Sequence, residues 1–370
     1  MPPPRAIRFK EHTAQGLHQS LAHLGVDARL ARRLQAAILQ KGGVVPERMP
    51  EVPRRLLEAV RTATEVPRLE LVEKAVSPSD GFAKYAFRGD GEGIFETVRI
   101  PLLHRPGDEK YVVCVSSQVG CAMGCVFCAT GRMGFRRNLA AWEMVDQVMQ
   151  VRDDSPYPVR GVVFMGMGEP LLNYDRVMRA AEVMADPCGL AIEGKAITIS
   201  TVGIVPAIRR FTAERRPYRL IVSLTAADRD KRRRLFPVEN VHPLPELMAA
   251  VREYQQATGN RMNLAWTMLN GVNTSREDAR QIAELTAGMR VRIDLIDVND
   301  ASGEFVPPDE AQRRAFRDAL TEEVGMPVAW RYSGGADIHG ACGMLAGRLV
   351  VGEHDLPGLA SEGGRKNLEK

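Results

Sequence analysis

What the chain does without narrows its class first. No apolar run approaches the ~18 residues that span a bilayer, and no charged-then-apolar leader opens the sequence. A cytoplasmic protein without a membrane partner is therefore expected. Cysteine is scarce, six in 370 residues, too few for a small scaffold stapled by disulfides. In a reducing compartment, clustered cysteines bind metal or do chemistry instead. There is no internal repeat and no low-complexity tract, which leaves no sign of a repeat architecture. The 45% apolar content supports a sizeable core and excludes disorder of the whole chain.

The net charge of +4 is unevenly spread. The first 75 residues carry thirteen Arg or Lys against eight Asp or Glu, so this stretch alone accounts for the whole excess. A basic module in front of a near-neutral body suits a polyanion, because phosphate contacts supply most of the non-specific affinity for nucleic acid. A solvated helical face explains the same charge equally well.

Those 75 residues lack strand signals and show helical spacing. In "LARRLQAAILQKG", Leu30, Leu34, Ala37 and Ile38 share a face, and Gly42 and Gly43 end the run. A β-rich stretch follows in "YAFRGDGEGIFETVRIPLL", with a Gly-Asp-Gly turn, and reads as a hairpin linking two domains. From residue 111 onward, "KYVVCVS", "VRGVVFMG", "KAITIST", "YRLIVSLT", "NLAWTML" and "VRIDLIDV" alternate with amphipathic segments. Six β/α units in a row predict an α/β fold, a parallel sheet covered by helices, open or curled into a partial barrel. Ligands in such folds meet the loops at the carboxyl ends of the strands.

"CVSSQVGCAMGCVFCATG", residues 114 to 131, starts in the first of these strands and runs into its loop. Cys121, Cys125 and Cys128 form C-x3-C-x2-C among glycines that let the backbone wrap tightly. Three thiolates can each hold one iron of a 4Fe-4S cluster, whereas an electron-transfer cluster takes four. The open fourth iron can chelate S-adenosylmethionine (SAM), the arrangement of radical-SAM enzymes. The competing reading is a structural zinc with Cys114 as fourth ligand, but zinc sites favour paired C-x2-C units. "FMGMGEP", residues 164 to 170, lacks the third glycine of a dinucleotide fingerprint. As a Gly-Glu-Pro loop, Gly168 and Glu169 could hold the ammonium of SAM; without the cysteines it would be a plain tight turn.

With "ETVRIP", "GFRRNL", "GMGEPLLNY", "ISTVGIVPAIRRF", "VSLTAADRDKRRRLFP" and "SGGADIHGACGMLAG" added, the sequence resembles the RlmN/Cfr family of radical-SAM RNA methyltransferases through most of its length. The resemblance implies a radical-SAM partial (βα)6 barrel over residues 107–337 with a small N-terminal helical accessory domain, residues 1–75, that binds RNA. Residues 76–106 would be the hairpin linker, and residues 338–370 a C-terminal segment carrying a methyl-accepting cysteine. It further implies one 4Fe-4S cluster on Cys121, Cys125 and Cys128, and SAM contacts at Gly168, Glu169, Ser200, Ser223, Leu224, Thr225 and Asn299. The implied partners are structured RNA, ribosomal or transfer, and an electron donor such as flavodoxin or ferredoxin, with the enzyme a monomer.

The family's chemistry, as the resemblance carries it here, methylates a ring carbon of adenosine, C2 with C8 as the alternative. Cys342 takes a methyl from one SAM. A second SAM is cleaved reductively to a radical that abstracts hydrogen from the S-methyl group, and the resulting carbon radical adds to the ring. Cys114 then attacks the Cys342 sulfur in a transient disulfide exchange, and Glu96 is the base that removes the ring proton. Taken alone, Cys114 and Cys342 would be buried thiols and Glu96 a solvated strand carboxylate. Cys188 matches no motif and reads as inert. Three places depart from the family pattern: "SLTA" at Thr225, "VNDASGEF" at Asp300, and "ENVHP" from Glu239 to His242. The first two flank the SAM pocket and the third is expected to face RNA. A radical enzyme on another substrate, such as a peptide, and a zinc-stabilised RNA-binding protein are the alternatives.

Overall fold

The computed structural model describes residues 6–347 except 104 and 301. The end of the expected C-terminal segment, residues 348–370, lies outside the described residues.

The chain begins with β1 (Ile7–Arg8), α1 (Ala14–Leu21), α2 (Ala28–Ala36) and α3 (Arg54–Ala63), and β2 (Thr64–Glu65) then pairs in parallel with β1. Local chemistry starts and stops these helices. The Thr13 hydroxyl accepts from the Gly16 N–H at 3.2 Å, and an Asp27 carboxylate oxygen accepts from the Leu30 N–H at 2.7 Å, each a side-chain N-cap. Leu30, Leu34 and Ile38 are buried as their spacing predicts. The run ends in a π turn, residues 37–42, stopped at Gly43 with φ 68°.

Next come β3 (Glu70–Val76), β4 (Ala83–Arg88), β5 (Ile94–Leu102) and β6 (Lys110–Cys114), joined antiparallel. An insertion after β6 holds β7 (Gln118–Gly120), α4 (Ala129–Arg132) and β8 (Phe135–Asn138), the two strands pairing antiparallel. Helix α5 (Ala141–Asp153) leads to β9 (Val159–Phe164), α6 (Tyr174–Ala185), β10 (Ile197–Thr201), α7 (Val205–Ala213) and β11 (Arg219–Ser223). Then follow α8 (Arg229–Leu235), α9 (Leu244–Thr258), β12 (Met262–Met268), α10 (Arg276–Leu285), β13 (Val291–Asp297), α11 (Glu310–Val324) and β14 (Val328–Trp330).

One ten-stranded sheet runs β14-β13-β12-β11-β10-β9-β6-β5-β4-β3. From β6 to β14 every pairing is parallel. Because the order never reverses and crossovers are right-handed, the helices gather on one face. The other face curls inward as a partial barrel, where Ile221, Ala265 and Ile296 form a small apolar cluster with Met165 against it. All six expected strands are present. A seventh parallel strand, β14, is three residues long, too short to leave a pattern.

Residues 70–76 form a strand where helices were expected, and the expected linker is part of the main sheet. Strand β3 lies at the sheet edge with mostly exposed or half-buried side chains, so its sequence carries charges in place of an apolar run. The N-terminal module is docked on the sheet's helices by a buried ion pair. Lys10 Nζ lies 2.5 Å from an Asp146 carboxylate oxygen on α5, both side chains 2% exposed. Lys10 also donates to the Pro67 carbonyl, and the second Asp146 oxygen accepts from the Leu69 N–H at 2.7 Å.

Removing one partner of such a pair leaves an uncompensated buried charge, at a cost of about 3–5 kcal/mol. Lys10→Met should therefore lower the midpoint of urea unfolding, and Lys10→Met with Asp146→Asn should recover most of the loss. Equal destabilisation in single and double variants would show that the pair is not the joint.

Candidate active site

The carboxyl ends of β6 and β9 to β13 open into one cavity, and the cysteine loop closes its mouth. Cys121, Cys125, Cys128, Gly168, Glu169, Ser200, Ser223, Asn299 and Cys342 all line it. Two glycines make the loop possible. Gly120 has φ 72°, and a Cβ there would stand 1.9 Å from the Gly134 carbonyl oxygen, which accepts from the Cys121 N–H at 3.0 Å. Gly168 has φ 102°, and a Cβ would meet that of Gln118 at 2.5 Å.

The thiols fit a cluster better than a single ion. Among the described residues no three His, Cys, Asp or Glu side chains converge as the ligands of one metal ion, the geometry a structural zinc needs. A cubane asks for three thiolates held apart, one per iron. Burial pushes the Cys121 thiol up to about 12 and the Cys125 thiol well above its ordinary range. Neighbouring thiols add to both shifts. Thiols so placed resist losing a proton to water, and ligation by a cation supplies the missing compensation.

Serines and a glutamine that the sequence left without a role tie this loop to the next. Ser116 Oγ accepts from the Met167 N–H at 2.8 Å, and Gln118 Oε1 accepts from the Glu169 N–H at 2.8 Å. Glu169 is buried, its two oxygens accepting from the N–H groups of Leu171 and Val202 at 3.0 Å each. Burial raises its carboxyl to about 7 against these hydrogen bonds. A ligand cation beside it would favour the ionised form.

Cys114, at the end of β6, and Cys342, on the cavity wall, interact electrostatically. Burial pushes the Cys114 thiol up to about 12, with the neighbouring Cys342 adding to the rise, and Cys342 also raises Cys128. The Cys342 thiol thus sits within electrostatic reach of both the cluster loop and Cys114. Both thiols are free. The segment carrying Cys342 is bound to the cluster loop: the Ala129 N–H donates to the Gly343 carbonyl at 2.8 Å and the Thr130 hydroxyl to the Leu345 carbonyl at 2.5 Å. Asn299 Nδ2 reaches the Cys342 carbonyl at 3.4 Å, and the Cys342 N–H donates to Ser333 Oγ at 2.9 Å.

Glu96 is not the solvated carboxylate that its strand alone would suggest. Far from solvated, it has no exposed surface; one carboxylate oxygen lies 2.8 Å from Lys84 Nζ, and the other accepts from the N–H groups of Ala346 and Gly347 at 2.8 and 2.9 Å. It holds the Cys342 segment in place. Leu224 is a core residue, and Thr225 turns from the cavity, its hydroxyl accepting from the Thr267 N–H at 3.3 Å. Cys188 lies apart from this cavity, in a groove that also includes Thr13, His18 and Arg32 of the N-terminal module.

Comparison with known proteins agrees with this geometry. Residues 115–286 match the model of the radical SAM superfamily. A probable RNA methyltransferase of Myxococcus xanthus is 47% identical over 92% of this chain and 94% of its own. The dual-specificity RNA methyltransferase RlmN of Syntrophobacter fumaroxidans is 39% identical over 92% of this chain and 98% of its own. A crystal structure of a radical SAM methyltransferase from Sphaerobacter thermophilus superposes with TM-score 0.84 at 34% identity, over 92% of this chain and all of that one.

The chain belongs to the RlmN family. Its cofactors are accordingly a 4Fe-4S cluster and SAM.

The places where this member of the RlmN family departs from the family pattern have structural accounts. Asp300, buried but held down to about 2 by Arg132 and the N–H groups of Ser302 and Phe305, binds Arg132 at 2.9 Å; that arginine also donates to the Val126 carbonyl in the cluster loop. The Thr225 hydroxyl accepts from the Thr267 N–H on β12. Glu239 does not face a polyanion. It is buried, paired with Arg229 at 2.8 Å and Arg232 at 3.3 Å, while Asn240 and Val241 are exposed.

If each thiolate holds a separate iron, Cys121→Ala, Cys125→Ala and Cys128→Ala should each abolish the cluster in anaerobically reconstituted protein, read as iron, sulfide and visible absorbance. Cys188→Ala should keep it. A full cluster in any of the first three would remove that cysteine from the ligand set.

Proposed function

We propose that this protein transfers a methyl group from SAM to a ring carbon of an adenosine in ribosomal or transfer RNA, C2 before C8, with Cys342 as the carrier and Cys114 as the thiol that releases the product. The observation that carries this reading is Cys342 lining the cluster cavity within electrostatic reach of Cys114. Relatives named as RNA methyltransferases support the substrate class. The cluster and SAM, when bound, supply the one-electron chemistry that an unreactive aromatic carbon requires.

The chain's own residues divide the work. Glu169 receives the SAM ammonium, and Ser200, Ser223 and Asn299 line the rest of the cofactor cavity. Cys342 presents its sulfur to that cavity. In resolution, Cys114 bonds to the Cys342 sulfur, the carbon–sulfur pair goes to the departing carbon, and that carbon takes a proton to become the methyl group. Glu96, proposed as the base, is engaged by Ala346 and Gly347; reaching the substrate requires those two bonds to open. A flavodoxin or ferredoxin provides the electron. RNA is held by the exposed arginines of the N-terminal module, among them Arg32, Arg48 and Arg55.

Cys114→Ala should load the methyl group and attack the ring, then stall, accumulating protein covalently joined to RNA through Cys342, visible as a nuclease-sensitive shift on a denaturing gel. Cys342→Ala should give neither adduct nor methylated adenosine by mass spectrometry of cellular RNA. Normal turnover by Cys114→Ala would overturn the two-cysteine mechanism.

Triple replacement of Arg32, Arg48 and Arg55 by Ala should lower the slope of log affinity for RNA against log salt by about 2, at roughly 0.7–0.9 per phosphate contact. An unchanged slope would place the RNA elsewhere.

Because burial raises the Glu169 carboxyl to about 7, its neutral fraction grows below that pH, and a neutral carboxyl holds an ammonium poorly. SAM affinity should fall as pH falls from 8 to 6, and Glu169→Gln should bind weakly at both. Equal pH dependence in the variant would assign the effect to another group.

A further inference from the structure

Helix α8 reads as a run of surface charge, yet one of its arginines has no exposed surface. Arg232 is 0% exposed. Its Nη1 donates to the carbonyls of Leu224 at 2.6 Å and Ser223 at 3.4 Å, and its Nη2 donates to the carbonyl of Val202 at 2.6 Å. The guanidinium lies 4.9 Å from the Phe236 ring centroid, and its Nε is 3.3 Å from Glu239.

These contacts join the walls of the cavity. Val202 follows β10, and Ser223 ends β11; both line the cavity, as does Phe236. The Val202 peptide is held at both ends, its N–H by Glu169 at 3.0 Å and its carbonyl by Arg232. Phe236 meets Phe127, between two of the cluster cysteines, edge-on at 5.4 Å. The Val126 N–H donates to the Leu235 carbonyl at 3.2 Å. One short helix therefore fastens the cluster loop to the SAM-binding strand ends, and the Arg232 charge reaches Cys125.

We infer that Arg232 is a positioning residue for SAM, its fork fixing the backbone at the ends of β10 and β11 where they line the cavity. The inference rests on the reading of this cavity as the site of the cluster and SAM. A planar fork can serve carbonyls in different directions while stacking on a ring, which a lysine ammonium cannot. Although burial lowers its pKa to about 10, Arg232 remains a cation at neutral pH.

Two variants test this in the full chain. Arg232→Lys keeps the charge and loses the fork. Arg232→Met with Glu239→Gln removes the ion pair without leaving that carboxylate unpaired. Iron and sulfide content, the change SAM makes in the EPR spectrum of the reduced cluster, and the SAM dissociation constant by calorimetry are measured on reconstituted protein. Arg232→Lys should bind SAM about tenfold more weakly, as the loss of charge-assisted bonds implies. The double variant should retain the cluster and bind SAM as weakly, the spectral change needing correspondingly more SAM. SAM affinity unchanged in both, with a lowered melting temperature alone, would make Arg232 a plain core residue and overturn the inference. Wild-type protein that takes up neither cluster nor SAM would instead overturn the reading of the site.

Discussion

The place of Cys342 depends on a carboxylate 246 residues earlier in the chain. The C-terminal segment has little regular structure, and among its described residues few are apolar and buried, Ile338 and Leu345 chief among them. Polar ties do the fixing. Glu96 and Lys84 are diagonal neighbours across β4 and β5, where Ala86 faces Glu96 and Lys84 faces Val98. Buried together, they would be poorly compensated if that single contact were all they had, because desolvation offsets much of the Coulomb attraction. The N–H groups of Ala346 and Gly347 complete the carboxylate's partners. The sheet thus needs the segment nearly as much as the segment needs the sheet.

The same device recurs at two other joints. Lys10 and Asp146 fasten the N-terminal module to α5, and Arg232 and Glu239 fasten α8 beneath the cavity. Apolar packing stabilises without direction, and it would tolerate small slips of one element on another. A buried ion that loses its partner is costly, so each pair resists a slip at its joint. The Lys10–Asp146 pair and the Glu96 bonds to Ala346 and Gly347 join elements far apart in sequence, while Arg232–Glu239 ties α8 to the turn that follows it.

This explains which parts of the structure were legible in the sequence. The six strands from "KYVVCVS" to "VRIDLIDV" announce themselves as apolar runs because both faces of a parallel sheet are covered. The cysteine spacing and the Gly-Glu-Pro loop were readable because their chemistry is local. Buried charge was not readable. Arg232 sits in "KRRRL" between the half-buried Lys231 and the exposed Arg233, and nothing in the pattern separates the one that turns inward. Glu239 read as part of an RNA-facing stretch although its partners Arg229 and Arg232 lie just before it, and the Ala346 and Gly347 partners of Glu96 are set by topology. Strand β3 was lost because an edge strand can be written in charged residues.

The acids of the cavity share one property that points to how the site is completed. Cys121, Cys125 and Glu169 are each driven toward their neutral forms by burial. As anions in that interior they carry a desolvation cost that the protein itself offsets in part, through N–H groups at Glu169 and through Arg232 near Cys125. A cationic metal centre bound by the thiolates and an ammonium beside the carboxylate would supply the remainder, so binding and deprotonation are coupled. The cost of holding these groups in a dry cavity then becomes selectivity. A ligand without positive charge at those two points cannot relieve it, whereas iron and an amino acid ammonium can.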